Sequence, residues 1–203
     1  IAILGYFGVQ TTSFAALLAG AGLAIGSAWG GLLANFAAGI FLVVLRPFKV
    51  GDFISAGGTT GTVEEVGLFV TKINTPDNIC TYVGNNKLFS DNIQNFTTNP
   101  YRRVELGAQI SGAADPNLVI AALKTRIQKI PNVLAKPEPD VVISSFTAVG
   151  PVLAIRPYTN NQFYWQVYFD TNMAIREVLG DGTFPAPMPV YGIQHINQTA
   201  PLT

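Results

Sequence analysis

The stretch IAILGYFGVQTTSFAALLAGAGLAIGSAWGGLLANFAAGIFLVVL, Ile1–Leu45, contains no Asp, Glu, Lys, Arg or His; the first charged residue of the chain is Arg46. A charge-free apolar run of this length reads as membrane-embedded. Its small residues are as informative as its large ones: Ala16, Ala19, Gly20, Ala21, Gly22, Ala24, Gly26, Ala28, Gly30 and Gly31 crowd one short segment. Lipid tails offer no hydrophobic drive for helices to associate, so contact depends on close backbone approach, which small side chains permit. The segment is therefore expected to pack against other helices, copies of itself included. Arg46, Lys49 and Lys72 follow the run and no Lys or Arg precedes it, which puts the Arg46 side in the cytoplasm.

As one helical rod, Ile1–Leu45 would be roughly 65 Å long, against a hydrocarbon core of about 30 Å. A break or sharp kink is expected at Gly30-Gly31. Upstream, Thr11–Trp29 spans about 28 Å, one crossing. Downstream, Leu32–Leu45 is expected to form a second, shorter helix at the cytoplasmic interface, with Asn35 its strongly polar side chain. Pro47 stops it, and Arg46 suits a helix C-terminus. On the upstream helix, Ala16, Gly20, Leu23, Ser27 and Gly30 share one face, and Leu23 alone among them is large and apolar. If copies ring an axis, Leu23 forms a narrow apolar collar, and such a constriction stops ions by dewetting. Ala19, Gly22 and Gly26 on one side, with Ala24 and Ala28 on the other, would then form the seams. Periodicity alone also accommodates, and by itself favours, a small-residue helix packed in an ordinary bundle with no pore.

The chain has 203 residues, 49% of them hydrophobic, so one or two modest soluble domains follow the apolar run. A formal net charge of +0 argues against a nucleic-acid surface, which needs a basic patch. Cys80 is the one cysteine, so no intrachain disulfide framework or cysteine metal cluster is expected. No basic n-region or cleavage site marks a signal peptide, and the chain opens on Ile; upstream residues, further spans among them, are expected to precede it.

Short β-type runs follow at Phe53–Ala56, Thr62–Val66, Phe69–Asn74 and Ile79–Val83, with turn chemistry at Gly57-Gly58 and Pro76-Asp77-Asn78. They predict a small antiparallel β domain from Val50 to about Phe96. Glu64 and Glu65 are strand neighbours facing opposite sides, which excludes joint chelation. A boundary is expected at Thr97–Tyr101. Beyond it the order is β-α-β-β-α: strand Val104–Ser111, helix Leu118–Ile130 capped by Asp115-Pro116, a hairpin of Val141–Phe146 and Val152–Tyr158 about Ala148-Val149-Gly150, and a helix Gln162–Leu179 capped by Asn160 or Asn161. This order is that of a ferredoxin-like α+β sandwich, its last strand missing or supplied from elsewhere. Phe184–Pro189 is rigid and extended. Val190–Asn197 predicts a lone strand, which needs partners, so an intersubunit sheet is expected. His195, the one histidine, has no adjoining Asp, Ser or Cys constellation and reads as a packed or solvated side chain. No phosphate loop, zinc-protease or nucleophile-elbow pattern is present, and no cofactor or enzyme activity is expected.

Taken in order, Gly8-Val9-Gln10-Thr11, the Ala/Gly helix, Leu33-Ala34-Asn35-Phe36-Ala37-Ala38-Gly39, Arg46-Pro47-Phe48, Gly51-Asp52, Gly61-Thr62-Val63, Asn92-Ile93-Gln94-Asn95-Phe96 and Arg102-Arg103 resemble the pore helix and cytoplasmic region of the bacterial small-conductance mechanosensitive channels, the MscS family. The resemblance implies residues 1-49 as pore helix, kink and amphipathic helix, 50-100 as an Sm-like β domain, 101-183 as the ferredoxin-like domain, and 184-203 as a strand and tail in an intersubunit β-barrel. It implies a homoheptamer in the inner membrane, its C-terminal domains cytoplasmic, opened by tension to release ions and small solutes on hypoosmotic shock. By the same resemblance Leu23 is a pore-sealing leucine. Ala16, Gly20 and Ala24 are packing knobs, and Ala19, Gly22 and Gly26 are the hollows that receive them. Gly31 is the kink glycine, and Asn35 couples the amphipathic helix to the β domain near Asn86. Ser27 departs from the pattern, standing where a second sealing leucine is expected; Trp29 is bulky for this helix; and Gly84-Asn85-Asn86 replaces a Pro-Asn-Gly turn. A reading from another class is a membrane-anchored oligomeric module that binds a ligand and does not conduct.

Overall fold

The computed structural model describes residues 11–189. The chain divides into two compact units between Thr98 and Asn99.

The first unit opens with one helix, α1, Thr11–Leu45, long and apolar enough to cross a membrane. Its continuity corrects the expectation of two helices separated at Gly30-Gly31. A glycine costs about 1 kcal/mol relative to alanine in a helix, yet it keeps its N–H, so the ladder of backbone bonds runs on; proline would have cut it. Any bend at the glycine pair is a bend within one helix. The end is set as expected. Arg46 turns left-handed, with φ of 49°, and its N–H donates to the Leu42 carbonyl at 3.1 Å, the C-terminal cap normally made by glycine, with Pro47 directly after it.

The β domain comprises β1 (Phe53–Ala56), β2 (Thr59–Val66), β3 (Val70–Asn74), β4 (Cys80–Gly84) and β5 (Gln94–Asn95). They form one antiparallel sheet in the order β4-β3-β2-β1-β5. Strand β2 starts earlier than Thr62, because Gly57 and Gly58 both take positive φ and close a two-residue turn directly between paired Ala56 and Thr59. A bulge at Glu64 interrupts the strict alternation assumed for Glu64 and Glu65, and Glu64 pairs with Lys72 at 3.1 Å. Two elements were not expected: β5 and the short helix α2, Asn85–Ser90. The core gathers Ile54, Val63, Ile73, Val83 and Leu88 with Leu42 and Phe48. The last turns of the apolar helix thus complete the β domain.

In the second unit, β7 (Leu106–Gln109), β9 (Pro151–Arg156) and β8 (Asp140–Phe146) form an antiparallel sheet in the order β7-β9-β8. Helices α3 (Pro116–Ile127) and α4 (Tyr164–Gly180) contribute Val119, Leu123, Ile127 and Ala174 to its core. The Asp115 carboxylate accepts from the Asn117 N–H at 2.9 Å, with proline next in line, so the predicted cap stands. The expected strand Val104–Ser111 is corrected. It shortens to Leu106–Gln109, and just upstream of it a separate ribbon pairs β6 (Arg102–Arg103) with β10 (Tyr158–Thr159), because Pro157, unable to donate, interrupts the β9 side of the ladder. Asn160 makes no side-chain cap; a 3-10 turn, Asn161–Phe163, leads into α4. The β-α-β-β-α order is that of a ferredoxin-like sandwich lacking its fourth strand among the described residues. Val190–Asn197 and His195 lie outside the described residues.

Candidate gate and its link to the β domain

Every described side chain from Thr12 to Leu33 is exposed in a single copy, Leu23 at 77%. The exposure is not uniform in kind. At 100° per residue, Ala16, Gly20, Ser27 and Gly30 lie within about 60° of Leu23. Phe14, Leu17, Leu18, Ile25, Trp29 and Leu32, all exposed, lie on the opposite half of the helix. So the upstream part of α1, Thr12–Gly31, is two-faced: a bulky half, and a small-residue half on which Leu23 stands out. Trp29 falls on the bulky half, away from Leu23. Among the described residues, no atom of another element lies within 4 Å of a β-carbon built at Gly20, Gly22, Gly26, Gly30 or Gly31. The described residues of the single chain therefore give these glycines no packing reason, whereas Gly39, further along α1, has one.

The link starts at Asn35. Its side-chain amide donates to the Gly31 carbonyl at 2.9 Å, and its Oδ1 accepts from the Asn86 backbone N–H at 3.0 Å. One side chain thus joins the glycine pair to the first turn of α2. Gly84 permits this approach: a β-carbon there would sit 2.8 Å from Asn35 Oδ1. The Gly84-Asn85-Asn86 segment, whose departure from the expected turn put this contact in question, makes it through a backbone donor.

Asn85 is the residue that sequence reasoning missed. It is fully buried. Its Oδ1 accepts from the Thr71 hydroxyl at 2.8 Å, its Nδ2 donates to the Gly67 carbonyl at 2.8 Å, and its N–H donates to the Phe69 carbonyl at 2.9 Å. These bonds fasten the β2–β3 turn to the start of α2, directly beneath α1. There Gly39 meets that turn: a β-carbon at Gly39 would lie 2.3 Å from the Leu68 carbonyl oxygen and 2.6 Å from Asn85 Nδ2. Phe36 packs on Phe69 and Phe41 stacks on Phe89, at centroid distances of 5.8 and 5.6 Å. The Gly84-Asn85-Asn86 run was visible, but nothing local in it distinguishes a buried asparagine from a turn residue. Nearby, the hydrogen bond that the Lys72 ammonium donates to the Glu64 carboxylate holds the lysine above its usual range.

The described residues thus combine an exposed leucine on a small-residue face, a glycine pair within one helix and a side-chain attachment of that helix to the β domain. Residues 31–98 match the family described as "Mechanosensitive ion channel, beta-domain", and residues 104–181 match "Mechanosensitive ion channel MscS, C-terminal". An MscS family protein of Buchnera aphidicola subsp. Schizaphis graminum is 37% identical over 93% of this chain and 67% of its own length. The small-conductance mechanosensitive channel of Edwardsiella ictaluri is 38% identical over 83% of this chain and 59% of its own. The crystal structure of Helicobacter pylori MscS in its closed state superposes with a TM-score of 0.86 at 27% identity, covering 96% of this chain and 78% of that one. The chain thus spans about two thirds or less of the length of these curated relatives.

Proposed function

Because the chain belongs to the MscS family of mechanosensitive ion channels, we propose that it is the pore-forming and cytoplasmic part of a channel gated by membrane tension. In this reading copies form a homoheptamer in the inner membrane, with bulky halves of α1 toward lipid and upstream helices, and small halves toward each other and the axis. The observation that carries it is the two-faced upstream part of the helix, Thr12–Gly31, with Leu23 alone, large and apolar, on its small half. A ring of Leu23 side chains narrows the axis to an apolar constriction that empties of water and blocks ions. Ser27, one turn on, widens and wets the next level. Ala16, Ala19, Gly20, Gly22, Ala24 and Gly26 form smooth seams along which helices slide.

Tension favours the state that occupies more membrane area, as a ligand favours the state it binds better. Tilting the upstream part of α1 about the Gly30-Gly31 pair widens the Leu23 ring. The downstream part is held by Leu42 in the β-domain core and by Asn35 on Asn86, so flexure concentrates at the glycines. Ions and small solutes then leave the cell on hypoosmotic shock. The test is patch recording of the full-length protein in liposomes under graded suction. Tension-gated single-channel steps whose threshold falls on Leu23→Ser support the reading. Silence up to membrane rupture, with intact oligomers in the same liposomes, sinks it.

A further inference from the structure

The last turn of α3 and the chain just after it face one side of α4 across a small open pocket of about 270 Å³. Its two walls carry opposite charge: Arg126 and Lys129 stand on the α3 side, Asp170 and Glu177 on the α4 side. The backbone places both pairs. The Lys129 and Ile130 N–H groups donate to the Arg126 and Ile127 carbonyls at 3.2 and 3.0 Å, a tightened turn that sets residues three apart over one another. Asp170, Met173 and Glu177 follow spacings of three and four, so they share one helix face. Buried Ile130, with Pro131 and Met173, supplies the apolar part of the lining.

The two couples of cation and carboxylate differ. At one end Arg126 closes on Glu177, its Nε and Nη2 lying 2.9 and 2.8 Å from Glu177 Oε2. Lys129 and Asp170 share the same lining, yet among the described residues they form no ion pair, with each other or with any other group. Asp170 is nevertheless held in place. Its Oδ2 accepts from Gln166 Nε2 at 2.6 Å; that nitrogen also donates to the Pro131 carbonyl at 3.2 Å, and Gln166 Oε1 accepts from Asn132 Nδ2 at 2.7 Å. A carboxylate oriented in this way opposes an unpaired ammonium across a pocket whose lining has no net formal charge.

We propose that this pocket binds a zwitterionic amino acid with a neutral, apolar side chain. Its ammonium meets Asp170, its carboxylate meets Lys129, and its side chain lies against Ile130, Pro131 and Met173. The volume falls below the roughly 300–1,000 Å³ of pockets for drug-sized ligands, so the occupant is a small molecule. A simple anion would meet Lys129 but also face two carboxylates, and a simple cation the reverse. A molecule carrying both charges is favoured by both walls. A third charge on the ligand would find no partner, since Arg126 and Glu177 occupy each other. Exposed ion pairs each contribute little, so half-saturation is expected at about 1–10 mM. The inference goes beyond the channel reading: it uses the second unit alone and needs no conduction.

The test titrates L-leucine into the full-length protein in nanodiscs, its methionine methyl groups isotope-labelled for magnetic resonance, with Met173→Leu to assign the pocket signal. A saturable shift of the Met173 methyl is expected, half complete at about 1–10 mM. Isocaproate lacks the ammonium and isopentylamine lacks the carboxylate; each should bind about threefold more weakly or worse. Lys129→Gln should remove the advantage of leucine over isopentylamine, and Asp170→Asn its advantage over isocaproate, which a merely structural role would not do. Lys129→Arg should preserve binding. The double substitution, Lys129→Gln with Asp170→Asn, should leave no saturable shift, while the remaining methionine methyls stay in place and report an intact fold. No saturable shift up to the solubility limit of leucine overturns the proposal. So do equal affinities for leucine, the acid and the amine, and so does a leucine shift that survives the double substitution. Normal tension-gated currents without the methyl shift refute this inference alone. A methyl shift in protein whose patches stay silent refutes the channel reading alone.

Discussion

A β-carbon on residue 84 would come within 2.8 Å of Asn35 Oδ1, which makes Gly84→Ala a sharper probe of the link than removing Asn35 itself. The obstacle is the end of a side chain, so the fold accommodates alanine by turning the Asn35 amide away, and the Asn86 N–H loses its acceptor. The expected cost is about 1 kcal/mol, read as roughly fivefold faster hydrogen exchange at the Asn86 amide with the β-sheet amides unchanged. Unchanged exchange at Asn86 would show that the bond carries nothing. Asn85→Ala is expected to be worse. It leaves the buried Thr71 hydroxyl and the Gly67 carbonyl without partners, at about 2–3 kcal/mol, and should speed exchange across β3 and β4 by about thirtyfold or more. At the proposed gate, Ser27→Leu adds a second apolar ring one turn from Leu23. Removing a leucine from water contributes up to about 2 kcal/mol per chain to the closed state, so the tension threshold should rise. An unchanged threshold would mean that Ser27 does not face the pore.

The elements were legible in proportion to how far their signals are local. The charge-free run, the Gly57-Gly58 turn, the Asp115-Pro116 cap and the β-α-β-β-α order could all be read from neighbouring residues. Helix α2 could not: at Asn85–Ser90 it spans under two turns, too short for a periodic face, and Gly84 supplies no side-chain cap. Strand β5 was missed because only pairing with β1 makes Gln94 and Asn95 a strand. Continuity through Gly30-Gly31 was misjudged because glycine lowers helix propensity without removing a donor. For the site, Leu23 is a proposal from spacing and resemblance, and resemblance alone pointed to the contact of Asn35 with Asn86. Asn85 and Gly39 matter through contacts with residues distant in sequence, which no local pattern encodes. The glycines of α1 now separate into two kinds. Gly39→Ala would drive a β-carbon into the Leu68 carbonyl at 2.3 Å, and backbone cannot yield as a side chain does, so the helix should lift from the β2–β3 turn. Among the described residues of one copy, nothing lies within 4 Å of a β-carbon at Gly22 or Gly26. There Gly→Leu should even favour the isolated helix by up to about 1 kcal/mol. Loss of gating in Gly22→Leu or Gly26→Leu would therefore report a neighbouring copy jammed at the seam. Unaltered gating in both would count against the face assignment.

For the whole molecule the small residues on the two sides of Leu23 differ, and in the proposed assembly that difference favours a head-to-tail contact. Ala19, Gly22 and Gly26 lie on one side of Leu23, Ala24 and Ala28 on the other. A twofold contact would bring one of these surfaces against itself. A head-to-tail contact brings each against its complement, and repeated around an axis it closes into a ring. Lipid gains little by covering alanine and glycine, while neighbouring backbones gain dispersion contacts by approaching closely, so the ring should leave neither surface bare. The check is cross-linking of the full-length protein in membranes, with Cys80→Ser as background. Ala24→Cys and Gly26→Cys placed in the same chain should give a ladder ending at the heptamer expected of the family, because each seam then holds one of each. Either substitution alone should give almost nothing. Efficient dimers from a single substitution would mean that the helices meet by a twofold axis. The Leu23 side chains would then face no common centre, and the pore would have to lie elsewhere.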